Sequence, residues 1–189
     1  MKRIGILGGT FDPPHLGHLI IANEVLNTFE LDEIWFMPNQ EPPHKTKTNA
    51  IKTGDRENLL KLAISGHPNF KIERLELERL GPSYTYETMK VLTEKHPDKQ
   101  FYFIIGADMV EYLPKWRNID ELVKIVQFIG VNRPSYSNKS NYPILYAEVP
   151  DIEISSSQIR TRLLENKTIR YLVPDSVMNY IKENQLYGS

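Results

Sequence analysis

Apolar positions along the chain fall into short continuous runs that alternate with stretches at helical spacing. Ile4–Leu7 is an apolar run stopped at Gly8 and Gly9, which predicts a buried first strand. Leu19, Ile20, Ala22, Val25, Leu26 and Phe29 then recur at helical spacing. Ile34–Met37 is a second apolar run, ended by Pro38-Asn39, and Leu59, Leu60, Leu62, Ala63 and Ile64 predict a helix after Asp55. From Phe70 to Leu77 the residues alternate. Phe70, Ile72, Leu75 and Leu77 oppose Lys71, Glu73, Arg74 and Glu76, which predicts a strand with one slip in its register. A third helix is expected from about Tyr86 to Lys95, and a strand of aromatic and β-branched residues over Phe101–Ile105, ending at Gly106. Ile119–Val126 reads as a helix, Phe128–Val131 and Ile144–Val149 as strands, and Ser156–Glu165 and Ser176–Glu183 as two closing helices. Arg133–Pro143, rich in Pro, Ser and Asn, is expected to be an exposed loop.

Alternating apolar strands and helices predict an α/β fold, a Rossmann-like doubly wound parallel sheet with helices on both faces and a small C-terminal helical region. With 189 residues, no repeat and no linker-like segment, the expectation is a single domain over 1–189. Sheets of this kind bind ligands beyond the carboxyl ends of their strands, where the strand order reverses. The residues just past each strand are therefore the first candidates for a site.

Composition narrows the classes. The chain is 40% hydrophobic and 25% charged, as globular proteins are, and its formal net charge of -1 argues against a general nucleic-acid or membrane binder. With no cysteine there is no disulfide, iron–sulfur cluster or thiolate zinc site. The apolar run at the N-terminus is too short for a signal peptide and no later run approaches a membrane span, so the expected compartment is the cytoplasm.

Two segments carry the chemistry. GGTFDPPHLGH, Gly8 to His18, comes directly after the first strand. Its glycines permit a tight turn and close approach to a ligand, and its prolines stiffen the entry to a helix. His15 and His18, three apart, share a face in that helix's first turn, with Gly17 between them leaving the face without bulk. Imidazoles beside a helix N-terminus suit a polyphosphate. An isolated HxxH pair would be a surface helix start or a chance metal pair; strand, glycine turn and prolines in order argue otherwise. The second segment, IEISSSQIRTR, Ile152 to Arg162, offers Ser155 or Ser156 as a helix cap and Arg160 one turn inside, able to reach back to a phosphate.

Together, these motifs resemble the two signatures of the HxGH nucleotidyltransferase superfamily, over nearly the whole chain. Ser157 stands where that family commonly has threonine, which keeps the hydroxyl. Further segments separate activities within the superfamily: PNQEPPHK, Pro38 to Lys45; GPSYTYET, Gly81 to Thr88; IIGADM after the fourth strand; and EYLPKW, Glu111 to Trp116. This set is similar to that of bacterial nicotinate mononucleotide adenylyltransferases.

The resemblance implies adenylyl transfer from ATP to nicotinate mononucleotide, giving nicotinate adenine dinucleotide and pyrophosphate, with Mg²⁺ bound to the ATP phosphates. It implies that His15, His18 and Arg160 are catalytic. It implies ATP contacts at Gly8, Gly9, Thr10, Phe11, Gly106 and Asp108, and again at Ile154, Ser155 and Ser156. For the mononucleotide it implies Asn39, His44 and Lys45 at the phosphate, Asp108 at ribose, and Ser83, Tyr84, Thr85, Trp116 and Arg133 around the pyridine. Free N–H groups and the Thr85 hydroxyl at a helix start suit a carboxylate, and the Trp116 indole can stack on a ring. A homo-oligomer is compatible with the sequence. The rivals are a sibling enzyme acting on nicotinamide mononucleotide or phosphopantetheine, a non-catalytic nucleotide sensor, and a zinc hydrolase using His15, His18 and His44, for which no acidic ligand stands at helical spacing beside the pair.

Overall fold

Parallel strands buried on both faces need helices above and below, and the computed structural model has that arrangement; it describes residues 1–40, 51–79, 84–132 and 140–188. The strands are β1 (Lys2–Gly9), β2 (Glu33–Pro38), β3 (Phe70–Ile72), β4 (Lys99–Gly106), β5 (Gln127–Asn132) and β6 (Ile144–Glu148). The helices are α1 (Leu16–Thr28), α2 (Thr53–Ile64), α3 (Leu75–Glu78), α4 (Thr85–Lys95), α5 (Ala107–Val110), α6 (Ile119–Ile125), α7 (Ser156–Leu164) and α8 (Asp175–Glu183). All six strands pair in parallel, in the order β3-β2-β1-β4-β5-β6.

The two-residue period of the strands splits the core in two. Ile4 and Ile6 of β1, Phe101 and Phe103 of β4 and Phe128 of β5 pack with Met89 and Leu92 of α4 and Leu122 of α6. Leu7, Ile104 and Ile129 point the other way, against Ala22 and Val25 of α1, Leu59 and Leu60 of α2, Ile159 of α7 and Ile181 of α8. The expected doubly wound sheet is therefore present, and the C-terminal helices close one of its faces. Tyr180 of α8 ties them to α2, donating to Asp55 Oδ1 at 2.9 Å while accepting from Asn58 Nδ2 at 3.0 Å.

From β1 the chain runs outward to β3, then returns to lay β4 on the other side of β1. The order reverses between β1 and β4, so the crevice lies past Gly9 and Gly106, the last residues of those strands.

Two local expectations are corrected. The first strand does not stop at Gly8: parallel pairing of Gly8 with Met37 and of Gly9 with Pro38 carries it on to Gly9. The strand expected over Phe70–Leu77 ends at Ile72. At the slip in the alternation the Glu73 carboxylate accepts the Leu75 N–H at 2.9 Å, and the chain turns into α3.

That short helix buries Glu76 against α4, where its Oε1 accepts from the Thr88 hydroxyl at 3.0 Å. Burial raises the Glu76 carboxyl above its ordinary value, against smaller opposing effects from Thr88 and Arg79. A carboxyl raised in the folded state binds its proton more tightly there than in the unfolded chain. Its contribution is therefore most favourable below the ordinary carboxylate range and is lost as pH climbs through the raised folded value. Glu76→Gln keeps an oxygen for Thr88 and cannot ionise. Urea unfolding is expected to find the variant more stable than the parent at about pH 8, with the advantage shrinking toward about pH 4. A variant less stable than the parent at pH 8 would show that ionised Glu76 is favourably paired instead.

Candidate active site

Gly9 has to be glycine, because a side chain at that position would meet the Phe11 ring at 3.0 Å. Phe11 is the residue in the left-handed region, with φ of 50°, and neither Gly8 nor Gly9 has positive φ; the turn expected at the glycines is made two residues later. Phe11 is 1% exposed and packs its ring on Phe36 and edge-on to His18 at 5.0 Å. A buried aromatic thus fixes the loop that leads into α1.

His15 is the N-cap of α1, its backbone extended, and His18 sits in the first turn. The rings stack with centroids 3.7 Å apart, and a side chain on Gly17 would meet the His15 ring at 3.0 Å, so the glycine makes room for the stack. The backbone N–H of His15 donates to Nδ1 of His18 at 3.2 Å. An accepting Nδ1 leaves the ring proton on Nε2, so neutral His18 is a donor at its outer edge. Burial lowers His15 to about 4. His18 keeps part of its surface open, yet the protein around it and the His15 charge lower it to about 3. Both rings are therefore neutral near pH 7. Nδ1 of His15 is buried without a hydrogen-bond partner among the described residues.

The second motif is stapled directly to this loop. Ser155 is the cap of α7, its Oγ accepting from Gln158 N at 3.1 Å, which resolves the choice between the first two serines. The Ser156 hydroxyl donates to the Pro13 carbonyl at 2.8 Å, and Nη1 of Arg160 donates to the Asp12 carbonyl at 2.7 Å. Nη2 of Arg160 reaches Ser157 Oγ at 3.2 Å. The Ile154 carbonyl passes 3.8 Å from where a Gly17 side chain would begin. Two helix N-termini, of α1 and α7, are thereby held side by side at the crevice.

Asn39 joins the same place from β2: its N–H donates to the Gly9 carbonyl at 3.0 Å, while its side-chain Oδ1 is buried and has no partner among the described residues. Between the two loops lies Arg56 of α2, 2% exposed, whose Nη1 donates to the carbonyls of Thr10 at 2.9 Å and Asn39 at 3.0 Å. Its Nε and Nη2 have no partner among the described residues. Nothing in the sequence singles out Arg56, because an arginine between Asp55 and Glu57 in a helical stretch looks solvated.

A separate cavity of about 260 Å³ is lined by Tyr84, Thr85, Lys115, Trp116 and Arg117. Tyr84 is the N-cap of α4 and offers no side-chain cap, so the amides of the first turn stay available there. The Arg117 guanidinium lies over the Tyr84 ring, 4.7 Å from its centroid. Trp116 is half-buried, edge-on to Phe103 and Phe128 at 6.0 Å, and so both anchors the segment and lines the cavity. Lys115 stands inside the EYLPKW segment without being singled out there, and Arg117 follows just past it. No hydrogen bond among the described residues joins this cavity to the histidine pair; Phe103, in van der Waals reach of Gly8 and packed on Trp116, lies between them.

Gly106 ends β4 and caps α5, whose backbone includes Asp108. His44, Lys45, Ser83 and Arg133 lie outside the described residues, as does the side chain of Asp108. Among the described residues no three His, Asp or Glu side chains stand together as metal ligands, and no helix is long and apolar enough to cross a membrane.

Residues 6–162 match the cytidylyltransferase-like family model. The chain is 55% identical over 189 residues to the nicotinate-nucleotide adenylyltransferase of Bacillus subtilis, covering all of both chains. It is 58% identical to the probable nicotinate-nucleotide adenylyltransferase of Geobacillus thermodenitrificans, covering all of this chain and 88% of that one. In fold it is similar to the Plasmodium falciparum nicotinic acid mononucleotide adenylyltransferase complexed with NaAD, with a TM-score of 0.83 at 23% identity, covering all of this chain and 98% of that one. By sequence over its full length, the chain belongs to the nicotinate-nucleotide adenylyltransferase family.

Proposed function

We propose that this protein transfers the adenylyl group of ATP to nicotinate mononucleotide in the cytoplasm, as a step of NAD biosynthesis. An oxygen of the mononucleotide 5′-phosphate bonds to the α-phosphorus, the bond from that phosphorus to the β-phosphate oxygen breaks, and pyrophosphate leaves. The observation that carries this reading is the stapled pair of helix N-termini, with His15, His18 and Arg160 at their mouth.

Every group assembled there is a hydrogen-bond donor or can act as one, as a polyphosphate requires. The nucleophile is already an anion near neutral pH, so the site needs no strong base, and two neutral imidazoles supply none. Catalysis comes from positioning and from stabilising charge. His18 presents Nε2–H to the α-phosphate, where charge develops. His15 contacts the triphosphate beside it, and Arg160 with the α7 N-terminus takes the β and γ phosphates. Gly8, Gly9, Thr10, Phe11, Gly106 and Ile154 wall the ATP side, and the Asn39 amide Nδ2 donates to the mononucleotide phosphate.

The metal fits this donor set as Mg²⁺ carried by the phosphates, since the residues at the two helix ends suit phosphate oxygens rather than a cation. The ion neutralises phosphate charge when bound. His15, His18 and Arg160 would hold it only indirectly, through the phosphates they bind.

The cavity at Tyr84, Thr85 and Trp116 takes the pyridine. The uncapped α4 N-terminus and the Thr85 hydroxyl meet the carboxylate, and Lys115 and Arg117 add positive charge that a neutral carboxamide does not exploit.

Because burial holds both histidines low, their Cε1–H signals in ligand-free protein should stay at neutral-form shifts between about pH 5.5 and 8, against an ordinary titration near 6.5. A depressed histidine favours the fold above its unfolded value and loses that contribution as pH falls toward the folded one, so acid should destabilise the site first. Saturating pyrophosphate with Mg²⁺ should raise both values. A midpoint near 6.5 without ligand would show that the rings are solvated.

His18→Ala should fold normally and lose roughly 10²–10³ in turnover, the cost of one transition-state donor. A folded variant turning over at the parent rate would remove His18 from the reaction.

The deciding experiment offers ATP, Mg²⁺ and either nicotinate or nicotinamide mononucleotide, and identifies the product by mass. Each group left unpaired by a carboxamide costs about 1–3 kcal/mol, so the acid should be preferred by about tenfold to a few thousandfold. Thr85→Ala should narrow that gap, while Trp116→Ala should weaken both substrates. Equal use of the two mononucleotides by the parent would discard the pocket assignment and leave only adenylyl transfer.

A further inference from the structure

The C-terminal segment reaches the stapled loop from the far end of the chain. After α8 the backbone folds into a 3-10 turn over Leu186–Gly188, and Tyr187 adopts a left-handed conformation with φ of 60°. Its ring is 7% exposed and belongs to the same buried cluster as Ile159 and Leu163 of α7. The phenol donates to Oδ1 of Asp12. Asp12 is the residue whose backbone carbonyl accepts from Arg160 Nη1 at 2.7 Å.

A guanidinium that touches the backbone of an aspartate lies within one residue's reach of its carboxylate. Left to itself, that carboxylate would swing onto the arginine, because a charge-assisted pair is stronger than a neutral hydrogen bond. No such ion pair forms: Asp12 and Arg160 are joined only through the backbone carbonyl, and the carboxylate faces the phenol. We propose that Tyr187 is a positioning residue for ATP, holding the Asp12 carboxylate away from Arg160 so that the guanidinium keeps its charge for the triphosphate. Tyr187 touches no substrate. It acts by occupying an internal anion that would compete with the substrate for the same cation.

The phenol suits this task over the whole working range. Burial and the neighbouring Asp12 charge push its ionisation far upward, so it remains a donor at any pH the enzyme meets. Phenylalanine would fill the same space and lack only the donor.

The inference rests on Arg160 holding the triphosphate, and one set of variants separates the two claims. Steady-state kinetics are measured for the parent, Arg160→Ala, Tyr187→Phe and Tyr187→Phe/Asp12→Asn, each checked by thermal melting. Tyr187→Phe should raise KM for ATP roughly tenfold, the worth of one hydrogen bond to a charged group, and leave KM for nicotinate mononucleotide within about twofold. In the double variant a neutral amide no longer captures Arg160, so KM for ATP should return most of the way to the parent value. A residue that merely braced the fold would move both KM values together, and removing the Asp12 charge would not restore one of them.

If Arg160→Ala raises KM for ATP and Tyr187→Phe does not, the positioning role is wrong and the triphosphate assignment stands. Failure of Asp12→Asn to restore ATP binding, or parallel loss of both substrates, also overturns the role. An unchanged KM for ATP in Arg160→Ala overturns both claims at once.

Discussion

The hydrogen bonds from Ser156 and Arg160 to the carbonyls of Pro13 and Asp12 are the constraint on which the site depends. They join residues more than 140 positions apart, across the switch point of the sheet. Each contributes about 0.5–1.5 kcal/mol net, or somewhat more where the guanidinium is the donor, a modest share of a domain's stability. Their importance is geometric. Without them α1 and α7 are two helices on one face of a sheet; with them two positive dipole ends converge on one volume. The loop between them has little freedom to drift, because Phe11 is buried beneath it and Arg56 grips the Thr10 carbonyl from behind.

That rigidity explains why a site for a highly charged substrate can hold two neutral histidines. The stacked rings share a desolvated corner, and burial works against a proton on either. A protonated pair would repel across 3.7 Å and would have to be desolvated again when the substrate arrives. Neutral rings, with the His18 tautomer set by the His15 backbone N–H, offer an oriented dipole at no such cost. In the proposed reaction charge then builds toward preset donors, and little needs to reorganise.

Much of this was legible in the residues. The continuous apolar runs Ile4–Leu7 and Phe101–Ile105 and the helical recurrence from Leu19 to Phe29 lead to the doubly wound sheet, because burial on both faces leaves few other arrangements. The histidine pair and the serine-rich cap are local patterns, and local patterns survive in sequence. What escaped depends on distance through space. The alternation over Phe70–Leu77 continues on paper past Ile72, but a single side-chain acceptor, Glu73, turns the backbone out of the sheet. Gly8 and Gly9 look like a turn, yet they are strand residues, and Gly9 is kept small by the Phe11 ring. Arg56, Arg117 and Tyr187 sit in stretches whose neighbours give them no pattern, and Lys115 is overshadowed by Trp116 in its segment; their roles arise only where helix, loop and C-terminal turn meet.

Four of the five buried side-chain atoms without partners among the described residues share a single logic; the fifth, Nη1 of Arg79, follows α3. Nδ1 of His15, Oδ1 of Asn39 and two nitrogens of Arg56 are withdrawn from water beside the crevice and have no hydrogen bond among the described residues. Leaving such a group unmade costs about 1–3 kcal/mol, more for a charged one, so a core selected for stability alone would hold few of them, and rarely in one place. Here they cluster at the switch point, around the ends of β1 and β2, where a ligand would lie. Arg56 is the extreme case. Its charge is buried, and no carboxylate of the described residues lies within ion-pair distance of it. A fixed positive charge under two loop carbonyls raises the potential of the crevice whether or not it ever touches a phosphate, and the low-dielectric surroundings that make it costly also carry its field to the mouth of the site. The unsatisfied Arg56 nitrogens are donors of the kind an anionic substrate meets, whereas Oδ1 of Asn39 accepts and needs a hydroxyl or N–H of a ligand, and binding and folding draw on the same residues.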